Sequence, residues 1–211
     1  MKKLYILCVA LMPFMICSGM IYSVFSLYLF ELGISRTQIG IIYMVSSLSG
    51  IVFSPVFGKL SDRVGRKPII LLAIASFSLV FFLYSLFRSL FCILTLEILG
   101  GAMWAAFSVV TPALVADMAK EKERGEYMGL YNQAWYLGWA IGPFLGGFLA
   151  DSIGFQRSFI ICSFILLIGL VLTLKFVREP NSAVVDAHPK RKNKDLEQWE
   201  ATAGCNAFLK A

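Results

Sequence analysis

Histidine is nearly absent from this chain: its 211 residues include one, His188. Charge is thin as well, with 15% Asp, Glu, Lys and Arg against about 25% in soluble domains. The five cysteines form no CxxC spacing; Cys8, Cys17, Cys92 and Cys162 fall in apolar runs and Cys205 near the end. Neither a disulfide framework nor a metal site is spelled out. The apolar runs hold no nucleophile and base pair, no metal-ligand spacing and no phosphate loop. Enzymatic chemistry and a resident cofactor are therefore not expected, and His188, far from those runs, is given no catalytic role.

What the chain has in excess is apolar surface. Hydrophobic residues make up 58% and mean hydropathy is +0.76, against about 45–50% apolar in soluble domains even with glycine counted in. Six apolar runs, approximately 4–30, 38–57, 68–87, 90–116, 127–150 and 155–177, are each long enough to cross a bilayer as a helix, since about 20 residues suffice for roughly 30 Å of hydrocarbon. The expectation is an all-α membrane protein with six transmembrane helices in residues 1–178. A secretory signal is the alternative for MKKLYILCVALMPFMIC, but the apolar stretch runs on to Phe30 without a small-residue cleavage site, which favours a first membrane helix. Residues 179–211 turn polar and read as a disordered cytoplasmic tail or the start of a central linker. Its patch of Lys190, Arg191, Lys192 and Lys194 suits either a solvated run or contact with anionic lipid.

Laying the loops alternately on two sides sorts the basic residues. Lys2, Lys3, Lys59, Arg63, Arg66, Lys67, Lys120, Lys122, Arg124, Lys175, Arg178 and the tail fall on one side; Arg36, Arg88 and Arg157 fall on the other. The rich side is cytoplasmic by the positive-inside rule, which puts both termini on the cytoplasmic side of a cell membrane that the chain crosses several times. Spread over separate short loops, the net charge of +6 describes topology and not a nucleic-acid surface.

One loop carries more than charge. GKLSDRVGRKP, residues 58–68, is echoed by GFLADSIGFQR, with Gly58, Leu60, Asp62 and Gly65 recurring 89 residues later as Gly147, Leu149, Asp151 and Gly154. The copies follow the second and fifth runs, so the chain reads as two three-helix units of opposite orientation, the inverted repeat found in secondary transporters. The echo drops Lys59, Arg63, Arg66 and Lys67 on the outer side, and keeps the glycines and the aspartate. Glycine at 58 and 65 permits tight turns and close helix approach, Pro68 suits the first turn of the third helix, and Asp62 is placed to cap a helix or meet a positive helix end.

Gly58, Leu60, Asp62, Arg63, Gly65, Arg66 and Lys67 fit G-x-L-x-D-R-x-G-R-K, the loop pattern of the major facilitator superfamily, and the approach LYLFELGISRTQIGIIYMVSSLSGIVFSPVFG is similar to that family as well. The resemblance covers residues 1 to about 178. It implies that Asp62 latches two transporter halves in an outward-facing state, and that Arg66 pairs with an acid at the cytoplasmic end of helix four, for which Asp117 is the candidate. In helix five, Gly138, Gly142, Pro143, Gly146 and Gly147 resemble the G-x-x-x-G-P-x-x-G-G signature of proton-coupled antiporters of this superfamily; three of these glycines also describe a plain small-residue packing face.

Helix four departs from that pattern. Many drug antiporters carry an arginine four residues before a glycine where this chain has Glu97 before Gly101. Glu97 lies about 10 Å deep from the outer turn, and two readings are open: a proton or cation site, or snorkelling to the outer surface. Tyr22, Ser26, Trp104, Asn132, Gln133, Trp135 and Trp139 are candidates to line a route through the bundle. Aromatic lining suits an apolar or amphipathic small-molecule substrate, while interface or lipid-facing packing is the alternative for any one of them.

Members of the superfamily ordinarily have twelve helices. The resemblance therefore implies the amino-terminal six-helix half of a secondary active transporter, a proton-coupled exporter of small organic compounds or drugs by alternating access. Its partners would be the bilayer and a second six-helix half, either separate or another copy of the chain. Uptake of a sugar or carboxylate by the same superfamily fold, and a non-transporting scaffold, are the competing readings.

Overall fold

The computed structural model describes residues 1–177; the expected tail, with His188 and its basic patch, lies outside the described residues. Six helices follow one another: α1 (Lys2–Glu31), α2 (Arg36–Val64), α3 (Arg66–Leu86), α4 (Leu90–Met118), α5 (Arg124–Ile153) and α6 (Phe155–Phe176), with a 3-10 turn at Glu121–Glu123 before α5. Five of them are long and apolar enough to cross a membrane. α5 has the length, but Asn132, Gln133 and its run of glycines dilute its apolarity.

The largest correction concerns GKLSDRVGRKP. It is not a loop but helix almost throughout, since α2 continues to Val64 and α3 begins at Arg66. Lys59 to Arg63 carry no helix breaker, so α2 extends its polar end beyond the apolar run without interruption. Gly65 alone makes the turn, at φ 99° and ψ 158°, a backbone region essentially reserved for glycine. Gly58, expected at a tight turn, is helical, and a Cβ there would meet Val109 at an ordinary 3.7 Å. Asp62 does not cap α3, whose N-cap Gly65 has no side-chain partner. The echo is structural as well: Gly154 links α5 to α6 at φ 83° and ψ 160°.

The packing obeys the same repeat. α1 packs chiefly on α5 and α6; α4, its counterpart, packs chiefly on α2 and α3; and α3 meets α6 along the seam between the units. Prolines follow suit, with Pro13, Pro55, Pro112 and Pro143 in the interiors of α1, α2, α4 and α5, whereas α3 has only Pro68 in its first turn and α6 has none. Two inverted three-helix repeats thus form one bundle. Across the α3–α6 seam two buried serines bond reciprocally, the Ser78 hydroxyl donating to the Ser163 carbonyl at 3.0 Å and the Ser163 hydroxyl to the Ser78 carbonyl at 2.8 Å.

Close backbone approach sets the main crossings. A Cβ on Gly138 would lie 2.6 Å from Met15 Cβ, on Gly142 2.5 Å from the Ile16 carbonyl, and on Gly146 2.6 Å from the Met20 carbonyl. Their four-residue spacing lays all three on one face of α5 against α1. Gly147 of the same signature faces open space. In the mirrored crossing, Gly101 of α4 abuts the Ser46 backbone of α2, and the Ser49 hydroxyl donates to the Ile98 carbonyl at 2.6 Å.

Replacing Gly142 with leucine must push α1 from α5, an overpacking cost of about 1–3 kcal/mol or more. Gly142→Leu is expected to lower the melting temperature in detergent and broaden the size-exclusion peak, whereas Gly147→Leu leaves both unchanged. Equal behaviour of the two variants would remove the α1–α5 contact from its place as the main crossing.

Candidate functional site

Three contacts gather the helix ends into two groups. The Met1 amine donates to the Tyr127 hydroxyl near the start of α5 at 2.9 Å, Arg66 at the start of α3 reaches Asp117 at the end of α4, and the Lys67 ammonium donates to the Leu174 carbonyl near the end of α6 at 2.8 Å. The start of α1 and the end of α6 therefore share one end of the bundle, the end rich in lysine and arginine.

Arg66 organises that end. Its Nε lies 3.2 Å from Asp117 Oδ2 and its Nη1 2.6 Å from Asp62 Oδ1, while Nη1 also donates to the Ser61 hydroxyl at 2.6 Å. One guanidinium thus joins α2, α3 and α4, as its fork of fixed N–H groups allows. The two contacts differ in weight. The Arg66 and Asp117 side chains are 18% and 16% exposed and Asp62 is 60% exposed, so water screens the Asp62 pair far more. Lys59, Leu60 and Arg63 point outward and take no part in these contacts. Ser61, an unspecified position of the motif, carries no signal that would have singled it out.

A cavity of about 510 Å³ occupies the other half of the bundle, between α1, α2, α3, α4 and Trp139 of α5. Eight aromatic side chains line its wall: Tyr22, Phe25, Tyr43, Phe77, Phe81, Tyr84, Trp104 and Trp139. Small hydroxyls, Ser18, Ser46, Ser47, Ser54 and Ser108, supply scattered hydrogen-bonding groups, and Glu97 is the one carboxylate in the lining, with no lysine or arginine beside it. The Tyr84 hydroxyl donates to Glu97 Oε1 at 2.6 Å, and Ser46 also bonds the carboxyl. Tyr84 is anchored in turn, its carbonyl accepting from the Tyr28 hydroxyl at 3.0 Å. Glu97 therefore sits in the cavity wall and is not extended to the outer surface. Neither Tyr84 nor Tyr28 stands at a helical spacing from Glu97, so the sequence held no cue to either.

Of the candidate lining residues, Tyr22, Trp104 and Trp139 reach the cavity and four do not. Trp135 lies in an aromatic cluster below it, 5.8 Å from Trp104 and 6.0 Å from Phe107 by ring centroid, with its indole N–H donating to the Tyr131 hydroxyl at 2.6 Å. Phe14, stacked on Phe107 at 3.8 Å, completes that floor. Asn132 shares the stripe of Trp139 but stands seven residues, about 10 Å, nearer the basic end, and it and Gln133 are exposed. Ser26 bonds Tyr43 from behind the wall.

The unequal screening of the two Arg66 pairs is measurable by double-mutant cycles on thermal stability in detergent. Arg66 and Asp117 truncated to alanine, singly and together, are expected to show a coupling of about 1–3 kcal/mol; Arg66 with Asp62 is expected to show at most about 0.5 kcal/mol. Equal couplings would contradict the assignment of Asp117 as the main partner.

Comparison with known proteins converges on one family. A family model described as Major Facilitator Superfamily matches residues 7–208. The chain is 28% identical to an uncharacterized MFS-type transporter of Methanocaldococcus jannaschii, over 82% of this chain and 45% of that protein. It is 28% identical to the multi-drug resistance efflux pump PmrA of Streptococcus pneumoniae, over 81% and 42%, and 31% identical to multidrug resistance protein 2 of Bacillus subtilis, over 85% and 46%. The chain thus spans less than half the length of these relatives. Its fold superposes on the crystal structure of the human organic anion transporter MFSD10 (TETRAN) with a TM-score of 0.69 at 19% identity, covering 84% of this chain and 48% of that one. The family match runs through all six helices of the inverted repeat, and the chain belongs to the Major Facilitator Superfamily.

Proposed function

We propose that this chain supplies the amino-terminal half of a secondary active transporter that exports small organic compounds in exchange for protons, completed by a second six-helix half. The observation that carries the reading is Glu97: a single carboxylate in an aromatic-walled cavity of about 510 Å³, bonded to Tyr84 at 2.6 Å. Ring faces accept amphipathic molecules of many shapes, and a buried carboxylate gives them one charged anchor. Relatives named as multidrug efflux pumps support the direction of transport.

Coupling follows from the hydrogen bond itself. A bond to an ionised carboxylate is roughly twice as strong as one between neutral groups. Protonating Glu97, or meeting it with a cation, therefore loosens its hold on Tyr84 and with it the contact between α3 and α4. The Arg66–Asp117 pair at the opposite end of α4 ties α3 to α4 there, and the exposed Asp62 beside it latches this half to the second one and holds the basic end shut. The positive-inside rule makes that end cytoplasmic. Alternating access then amounts to a reversible exchange between contacts at the two ends, each weak enough to break.

Glu97→Gln keeps the shape and removes the titrating charge. In everted vesicles energised by a proton gradient, with the second half present, it is expected to abolish proton-driven uptake of a fluorescent organic probe while leaving protein level unchanged. Asp62→Asn is expected to insert normally and transport more slowly. Proton-driven transport at the unsubstituted rate by Glu97→Gln would sink the assignment of the coupling site.

A further inference from the structure

At the basic end, a second groove of about 310 Å³ runs between α1 and α6 on the outside of the bundle, lined by Tyr5, Ile6, Val9, Ala10, Leu172 and Phe176. Apart from the Tyr5 hydroxyl, its lining side chains are hydrocarbon. On α1 the outward lining residues Tyr5, Ile6 and Val9 continue a helical stripe whose next member toward the basic end is Lys2, three or four residues before Tyr5 and Ile6. Lys3 follows on the neighbouring row. On α6, Leu172 and Phe176 share one face and Lys175 stands three residues after Leu172, at the flank of that face, because residues three and four apart are neighbours on a helix surface. All three lysines are exposed. The first turn of α1 contains no acidic residue, and Lys175 occupies the last turn of α6.

We infer that this groove binds one anionic glycerophospholipid of the leaflet at the basic end, with an acyl chain along the groove and the headgroup phosphate on Lys2, Lys3 and Lys175. The geometry suits that occupant on both counts. An apolar trough on a membrane-facing surface takes a hydrocarbon chain, and a trio of cations at its mouth selects a negative headgroup over a zwitterionic one. A peptide helix would leave its charged ends to the same three lysines and would find no polar partner in the trough. The site is independent of the Glu97 cavity, so its failure and the failure of the transport reading are told apart.

The full chain, purified in detergent, is titrated with 1-palmitoyl-2-oleoyl phosphatidylglycerol or the matching phosphatidylcholine, and bound lipid is counted by native mass spectrometry. Phosphatidylglycerol is expected to be retained in preference, and that preference to fall about fivefold for each lysine neutralised, reaching its minimum in Lys2→Gln/Lys3→Gln/Lys175→Gln. Reading binding in detergent keeps any effect of these changes on insertion out of the result. Val9→Trp, which fills the trough and spares the charges, is expected to displace the lipid without altering the melting temperature. Equal retention of the two lipids, or a phosphatidylglycerol preference unchanged in the triple variant, would overturn the inference, as would undiminished binding to Val9→Trp.

Discussion

Everything in this bundle depends on how closely α1 and α5 approach. In a bilayer, lipid tails offer apolar side chains the same company as another helix does, so burial alone does not drive association. What remains is contact at van der Waals distance, and that requires small residues where backbones cross. Gly138, Gly142 and Gly146 meet the α1 backbone from Met15 to Met20, and Gly101 meets α2 at Ser46 in the mirrored crossing. These two crossings fix where α1 and α4 stand, and the cavity is the space left between them above the floor of Phe14, Phe107 and Trp135.

Polar side chains divide the labour by depth. At the basic end the arginine-centred cluster is made of full charges, partly wetted, and ties three helices through one side chain. In the cavity half a single carboxylate depends on a tyrosine hydroxyl that is itself steadied by another tyrosine. Between the two, the contacts are neutral: reciprocal serines between α3 and α6, and a serine on a carbonyl between α2 and α4. Such a gradient matches what the bilayer tolerates, with full charge at the ends and neutral hydroxyl contacts between helices at depth.

Much of the architecture was legible because it is written in periodicity and composition. Six apolar runs gave six helices, and an 89-residue echo gave the repeat down to the shared conformation of Gly65 and Gly154. The continuation of α2 through Lys59–Val64 was not legible from hydropathy, since charged residues end an apolar run without ending a helix. Pairing across helices was legible only where a motif supplied it, as with Arg66 and Asp117. Tyr84, Tyr28 and Ser46 meet Glu97 or support it through tertiary placement alone. Trp135 and Asn132 were misplaced for a different reason: residue type suggests a lining role, but depth along α5 decides it.

Gly65 and Gly154 have a mechanical consequence. A linker of several residues can absorb the displacement of one helix before the next one feels it; one residue, spanning a few ångströms between neighbouring Cα atoms, has no slack to give. α2 and α3 are therefore two arms of a single elbow, and α5 and α6 are another. Tilting α2 carries the start of α3, and with it the guanidinium of Arg66, by a comparable distance. The elbow thus acts as a lever, delivering movement in a membrane helix to a polar cluster that a longer, looser loop would have isolated from it.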